Sequence, residues 1–78
     1  MVKVLYFAEL KEILDKSTET VMITDPVSVD IFIRDLMIKY PILAQKSFQI
    51  AVNESFAMPT DVIEQHDTIA LIPPVSGG

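Results

Sequence analysis

Between Val29 and Tyr40, apolar residues recur as Val29, Phe32, Ile33, Leu36, Met37 and Tyr40. This is the i, i+3, i+4, i+7, i+8, i+11 series of one helix face. Asp30, Arg34, Asp35 and Lys39 fall on the opposite face. An apolar stripe of that width must be buried against another layer of structure. A chain of 78 residues supports one small core and no second one, so the remaining segments must supply that layer. Ser28 stands where an N-cap is expected. Pro41 predicts the helix's end at Tyr40, because a residue preceding proline is pushed out of the helical region.

The flanking segments read mostly as strands. Residues 2–7 alternate Val2, Val4 and Tyr6 against Lys3, Leu5 and Phe7, a first strand with its Val/Val/Tyr face inward. Leu5 and Phe7 then lie on the other face, unusual for a face that meets only water. Residues 8–16 carry Leu10, Ile13 and Leu14 at helical spacing and predict a short helix. A turn is expected over 17–20, then a strand over 19–24, broken by Asp25-Pro26. After a connector at 42–47, residues 48–52 alternate as a third strand, Asn53-Glu54-Ser55 supply a turn, and 56–58 read as a short strand closed by Pro59. Residues 61–64 are expected as a brief turn or helical element. Residues 68–72 form the last strand, with Ile69 and Leu71 on one face and Ala70 and Ile72 on the other. The sum predicts an α+β β-grasp over residues 1–72. Its mixed sheet has four or five strands, one long helix packs across it, and residues 73–78 form an extended tail.

The side-chain inventory excludes most catalytic chemistry. With no cysteine there is no thiolate metal site and no cysteine nucleophile. The single histidine, His66, lies in a polar turn beside no second nitrogen or sulfur ligand. Asp61, Glu64 and Asp67 lack the spacing of a calcium loop, so no metal is expected. The only two glycines are Gly77 and Gly78, which rules out a glycine-rich phosphate loop. A net charge of −5 opposes nucleic-acid binding, and no apolar run approaches membrane-spanning length. A soluble, cytoplasmic chain with no membrane partner is expected.

What remains distinctive is the end, Pro73-Pro74-Val75-Ser76-Gly77-Gly78. Proline cannot extend a strand ladder, and glycine lets a chain pass where a Cβ would not. The α-carboxylate of Gly78 would then tip a thin rod able to enter another enzyme's active site. Adenylation by an ATP-using partner would activate it. An amine would then give a conjugate, a sulfur donor a thiocarboxylate.

Three segments carry a family resemblance: Val2-Lys3-Val4-Leu5-Tyr6-Phe7-Ala8, Ala51-Val52-Asn53, and the run from Asp67 to the closing Pro-Pro-Val-Ser-Gly-Gly. Together they resemble the ubiquitin-like sulfur carriers that form the small subunits of molybdopterin synthases. The resemblance implies that Gly78 is adenylated by a ubiquitin-activating-like enzyme using ATP, then converted to a thiocarboxylate. It further implies that Pro73, Pro74, Val75, Ser76 and Gly77 insert into the synthase large subunit within a heterotetramer, where sulfur passes to a cyclic pterin precursor. It places a partner interface at Phe7, Phe56 and Ile72, with no cofactor bound by the chain itself. A thiamine-pathway sulfur carrier or a protein-conjugating modifier shares the fold and the carboxyl chemistry. The Pro-Pro-Val run argues against the thiamine carriers, and a purely structural adaptor would have no use for Gly78. One departure stands out: the family usually has a glycine in the turn before the last strand, where this chain has His66.

Overall fold

The structure, a computed structural model, describes residues 1–74. Strand β1 (Val2–Tyr6) leads into helix α1 (Ala8–Leu14) and then β2 (Thr18–Val21). A two-residue strand β3 (Val27–Ser28) runs directly into α2 (Val29–Lys39), and Pro41–Gln45 form a 3-10 helix. The chain closes with β4 (Gln49–Val52), β5 (Ser55–Phe56), β6 (Val62–Ile63) and β7 (Thr68–Ile72). Five strands form one sheet in the order β2-β1-β7-β4-β5. β1 and β7 pair in parallel at its centre, and every other pair in it is antiparallel.

Val2, Val4 and Tyr6 of β1, with Ile69 and Leu71 of β7, are buried in one cluster with Val29, Phe32 and Leu36 of α2. These are the inward positions that strand alternation and helical periodicity predict, and the architecture is a β-grasp. The long helix does not cover the sheet alone. Leu10 of α1 and Leu43 of the 3-10 helix are both fully buried in the same cluster.

Four local expectations are corrected. Residues 61–64 contain a strand rather than a helical turn: β6 pairs antiparallel with β3, matching Val27 to Ile63 and Ser28 to Val62. The strand predicted over 19–24 starts earlier, at Thr18, within the stretch expected to turn, and ends at Val21. Helix α1 stops at Leu14 instead of Lys16, because Asp15 adopts a left-handed conformation with φ 55° and closes the last turn. Ser28 occupies the N-cap position of α2 without capping it through its side chain. Its hydroxyl donates to Asp30, while the N–H groups of Val29 and Asp30 donate to the carbonyls of Asp61 and Pro59 at 2.9 and 3.0 Å. The segment that builds β6 thus also satisfies donors the helix leaves open.

The β4–β5 hairpin turns through Asn53 and Glu54, both at positive φ (51° and 71°), as a two-residue loop with primed-turn twist requires. His66 also sits at positive φ, 71°. Its N–H donates to the Met1 carbonyl at 2.9 Å, a backbone bond that helps hold histidine in a turn where glycine would enter freely.

Candidate functional site

The site is organised by β7, the strand that ends where the predicted tail begins. Register places Leu5 beside Ala70, Ala70 beside Ala51, and Ala51 beside Phe56. Because side chains alternate along a strand, these four form a row across the sheet on the face turned away from α2. One step along β7, Ile72 pairs with Gln49. Phe7 follows Tyr6, the register partner of Leu71, and its extended backbone (φ −116°, ψ 157°) continues the alternation. Phe7, Phe56 and Ile72, the three predicted interface residues, therefore share this outer face. Phe56 is 71% exposed and Phe7 44%, with Ile72 half-buried.

Sequence reasoning missed Ala51 and Ala70, which supply the low floor between the two phenylalanines. Ala51 is buried although it faces away from the helix. The signal lay in the apolar residues on both faces of β4 and β7, a pattern that marks a sheet covered on both sides.

The strand alternation also continues past β7. Pro73 takes the next inward position after Ile69 and Leu71 and is buried, whereas Pro74 is exposed. The predicted insertion residues Val75, Ser76 and Gly77, and Gly78, whose carboxylate is expected to react, lie outside the described residues.

On the inner face, near the end of the sheet from which Pro73 emerges, a polar cluster closes the core. Glu19 Oε1 accepts hydrogen bonds from the Tyr6 and Tyr40 hydroxyls at 2.6 and 2.9 Å, and Oε2 accepts from Lys39 Nζ at 2.7 Å. Lys16 Nζ donates to the Tyr40 hydroxyl at 2.7 Å. Burial alone pushes the Glu19 carboxyl up. The hydrogen bonds from Lys39, Tyr6 and Tyr40, with the charge of Lys39, outweigh it and hold the group at about 2. Burial, then the bond to Glu19, pushes the Tyr6 hydroxyl well above the usual phenol range. Lys16 and Lys39 are raised, by their bonds to Tyr40 and Glu19 respectively. Through these bonds the cluster ties β1, β2 and the C-terminal end of α2 together.

At the other end of β7, the Asn53 side chain donates to Asp67 at 3.0 Å and accepts from the Thr68 N–H at 2.9 Å. Asp67 also accepts from the Glu64 N–H at 2.8 Å. That backbone bond, then the one from Asn53, holds its carboxyl below the usual range. The start of β7 is thus tied to the β4–β5 turn. Among the described residues, no group of three or more His, Cys, Asp or Glu side chains could hold a metal ion. No helix among them is long and apolar enough to cross a membrane.

A five-stranded mixed sheet with a helix across one face and an apolar opposite face defines a ubiquitin-like β-grasp protein. The chain belongs to the ThiS family, matching it over residues 4–78. It is 37% identical over 81 residues to the molybdopterin synthase sulfur carrier subunit of Caenorhabditis briggsae, covering 99% of this chain and 96% of that one. Among solved structures it is similar to SAMP1 from Haloferax volcanii, with a TM-score of 0.85 and 24% identity over 99% of this chain and 98% of that one. It also matches a chain of the complex of subunits 1 and 2 of the molybdopterin-converting factor from Helicobacter pylori. There the TM-score is 0.70 and the identity 22%, covering 99% of this chain and 97% of that one.

Proposed function

We propose that this chain is the sulfur-carrier subunit of a molybdopterin synthase, with Gly78 as the carboxyl end that carries the sulfur. The observation that supports this most is the full-length likeness to a sulfur carrier subunit at 37% identity, in a chain that closes on Pro-Pro-Val-Ser-Gly-Gly. In the first step the Gly78 carboxylate attacks the α-phosphate of ATP on an adenylating partner. Pyrophosphate leaves and an acyl adenylate forms. Hydrosulfide-level sulfur delivered by the activating system then displaces AMP and leaves a thiocarboxylate. In the second step the tail enters the large subunit and its sulfur attacks a carbon of the pterin precursor. A carbon–sulfur bond forms as a carbon–oxygen bond breaks and the oxygen substituent leaves. Water then cleaves the acyl–sulfur bond, restoring the carboxylate. This chain binds no cofactor in either step and contributes no catalytic side chain. In this reading it works in the cytoplasm.

The outer sheet face, with Phe7, Phe56 and Ile72, is the docking surface for the large subunit in this reading, and two such pairs make a heterotetramer. The related Helicobacter pylori complex, in which subunits 1 and 2 associate, supports a large-subunit partner. The deciding experiment deletes Gly78. The variant should fold normally, because no core residue changes. It should gain no oxygen-to-sulfur mass increment after incubation with ATP, the activating enzyme and a sulfur source, and should support no molybdopterin formation. Sulfur transfer by the shortened chain would refute the carrier reading.

A further inference from the structure

A second concave surface lies around the corner from the docking face, between α2 and the β4–β5 hairpin. It encloses about 850 Å³. Its floor is apolar: Ile33 and Met37 from α2, and Phe48 and Ile50 at β4, all half-buried against the core. Its outer wall includes Met58, which is 67% exposed. Phe56 lines this groove and also ends the apolar row on the outer sheet face. Because β5 is the edge of the sheet, a protein covering the sheet face meets the groove as soon as it passes Phe56.

Charge narrows the occupant. The chain has eleven carboxylates and six Lys or Arg residues, and Glu19 draws Lys16 and Lys39 to itself. Two of the other four cations, Arg34 and Lys46, line this groove, against the single carboxylate of Asp30. Lys46 has a 3.9 Å contact with Glu9, itself half in water, a weak competitor for an incoming anion. Asp30, one turn before Arg34, itself feels the charge of that guanidinium. The groove is thus an apolar slot on an acidic protein, with two cations at its rim that each face one weakly competing carboxylate.

From the shared Phe56 and this charge pattern, we infer that the groove receives a short apolar segment bearing a carboxylate, contributed by the same large subunit that docks on the sheet face. The inference rests on the docking reading above. Val29, Ile33 and Met37 span two helical turns, about 12 Å, which matches roughly four extended residues. Two apolar side chains enter between α2 and β4, and the carboxylate meets Arg34 and Lys46 at the rim. Met37 and Met58 supply flexible, polarizable walls that adapt to the side chains entering.

Calorimetric titration of the intact chain with its own large subunit tests this. The variants are Arg34→Gln combined with Lys46→Gln, Met58→Ala alone, and Phe7→Ala as a sheet-face reference, each checked for an unchanged thermal midpoint. Arg34 and Met58 are exposed, so Arg34→Gln and Met58→Ala keep the test usable if the double variant is less stable. The charge variant should weaken binding about tenfold, with a shallower salt dependence, and Met58→Ala about fivefold. Thiocarboxylate formation by the activating enzyme should be unchanged. If only Phe7→Ala weakens the complex, the groove inference falls and the sheet-face reading stands. If no variant changes affinity, both fall. Loss of adenylation with large-subunit affinity intact would assign the groove to the activating enzyme and overturn the inference.

Discussion

Replacing Glu19 with glutamine removes one charge from a site where three donors converge on a carboxylate that is 11% exposed. The group is held at about 2 instead of 4.5. A carboxyl whose folded value is depressed stabilises the fold above its ordinary value, and the contribution fades as pH falls from 4.5 toward 2. At about 1.4 kcal/mol per pH unit, the full contribution is about 3 kcal/mol. Lys39 is 55% exposed, so solvent and salt screen its share and leave about 2 kcal/mol. In urea melts at neutral pH, Glu19→Gln should therefore be less stable by about 2 kcal/mol, a large fraction for a domain with roughly 5 kcal/mol in total. The gap between the two proteins should shrink to less than half by pH 2.5, where the native carboxyl is itself becoming protonated. Other carboxylates titrate alike in both proteins and cancel in the difference. A gap that stays constant from pH 7 to 2.5, or one below about 0.5 kcal/mol at pH 7, would show that the cluster is a surface ornament and the reasoning wrong.

Leu36→Ala, at a position 4% exposed in the helix–sheet core, should lose about 2–5 kcal/mol in denaturant melts. A loss under about 1 kcal/mol would contradict the packing of α2. Glu54→Gly relieves a non-glycine residue at φ 71° and should raise stability by up to about 1 kcal/mol; a lower melting midpoint would count against a left-handed turn there. Phe7→Ala should leave the thermal midpoint nearly unchanged and weaken large-subunit binding by about 2 kcal/mol, measured by calorimetry. Equal affinity in a folded variant would remove Phe7 from the interface.

Wherever a pattern is local and long enough to repeat, it was legible in the chain. Six apolar residues on one stripe announced α2, and the turn-bounded run Thr68-Ile69-Ala70-Leu71-Ile72 marked β7 from end to end. Alternation in β1 separated the buried Val2, Val4 and Tyr6 from Phe7 on the other face. Strand alternation put Phe7, Phe56 and Ile72 outside the helix-facing sets, and family resemblance drew attention to them as an interface. Tertiary structure alone decided what depends on residues distant along the chain. Strands of two residues, Val27–Ser28 and Val62–Ile63, are too short to carry a period and exist only because each finds the other. Ser28 looked like a side-chain cap, yet the carbonyls of Pro59 and Asp61 meet the helix's open N–H groups, a choice made by how the loop packs. Glu19 read as one more strand residue until folding brought Tyr6, Lys39 and Tyr40 around it. Propensity and periodicity act over neighbouring residues, whereas ladder partners, backbone caps and buried charges take their energy from contacts that form only when the chain closes on itself.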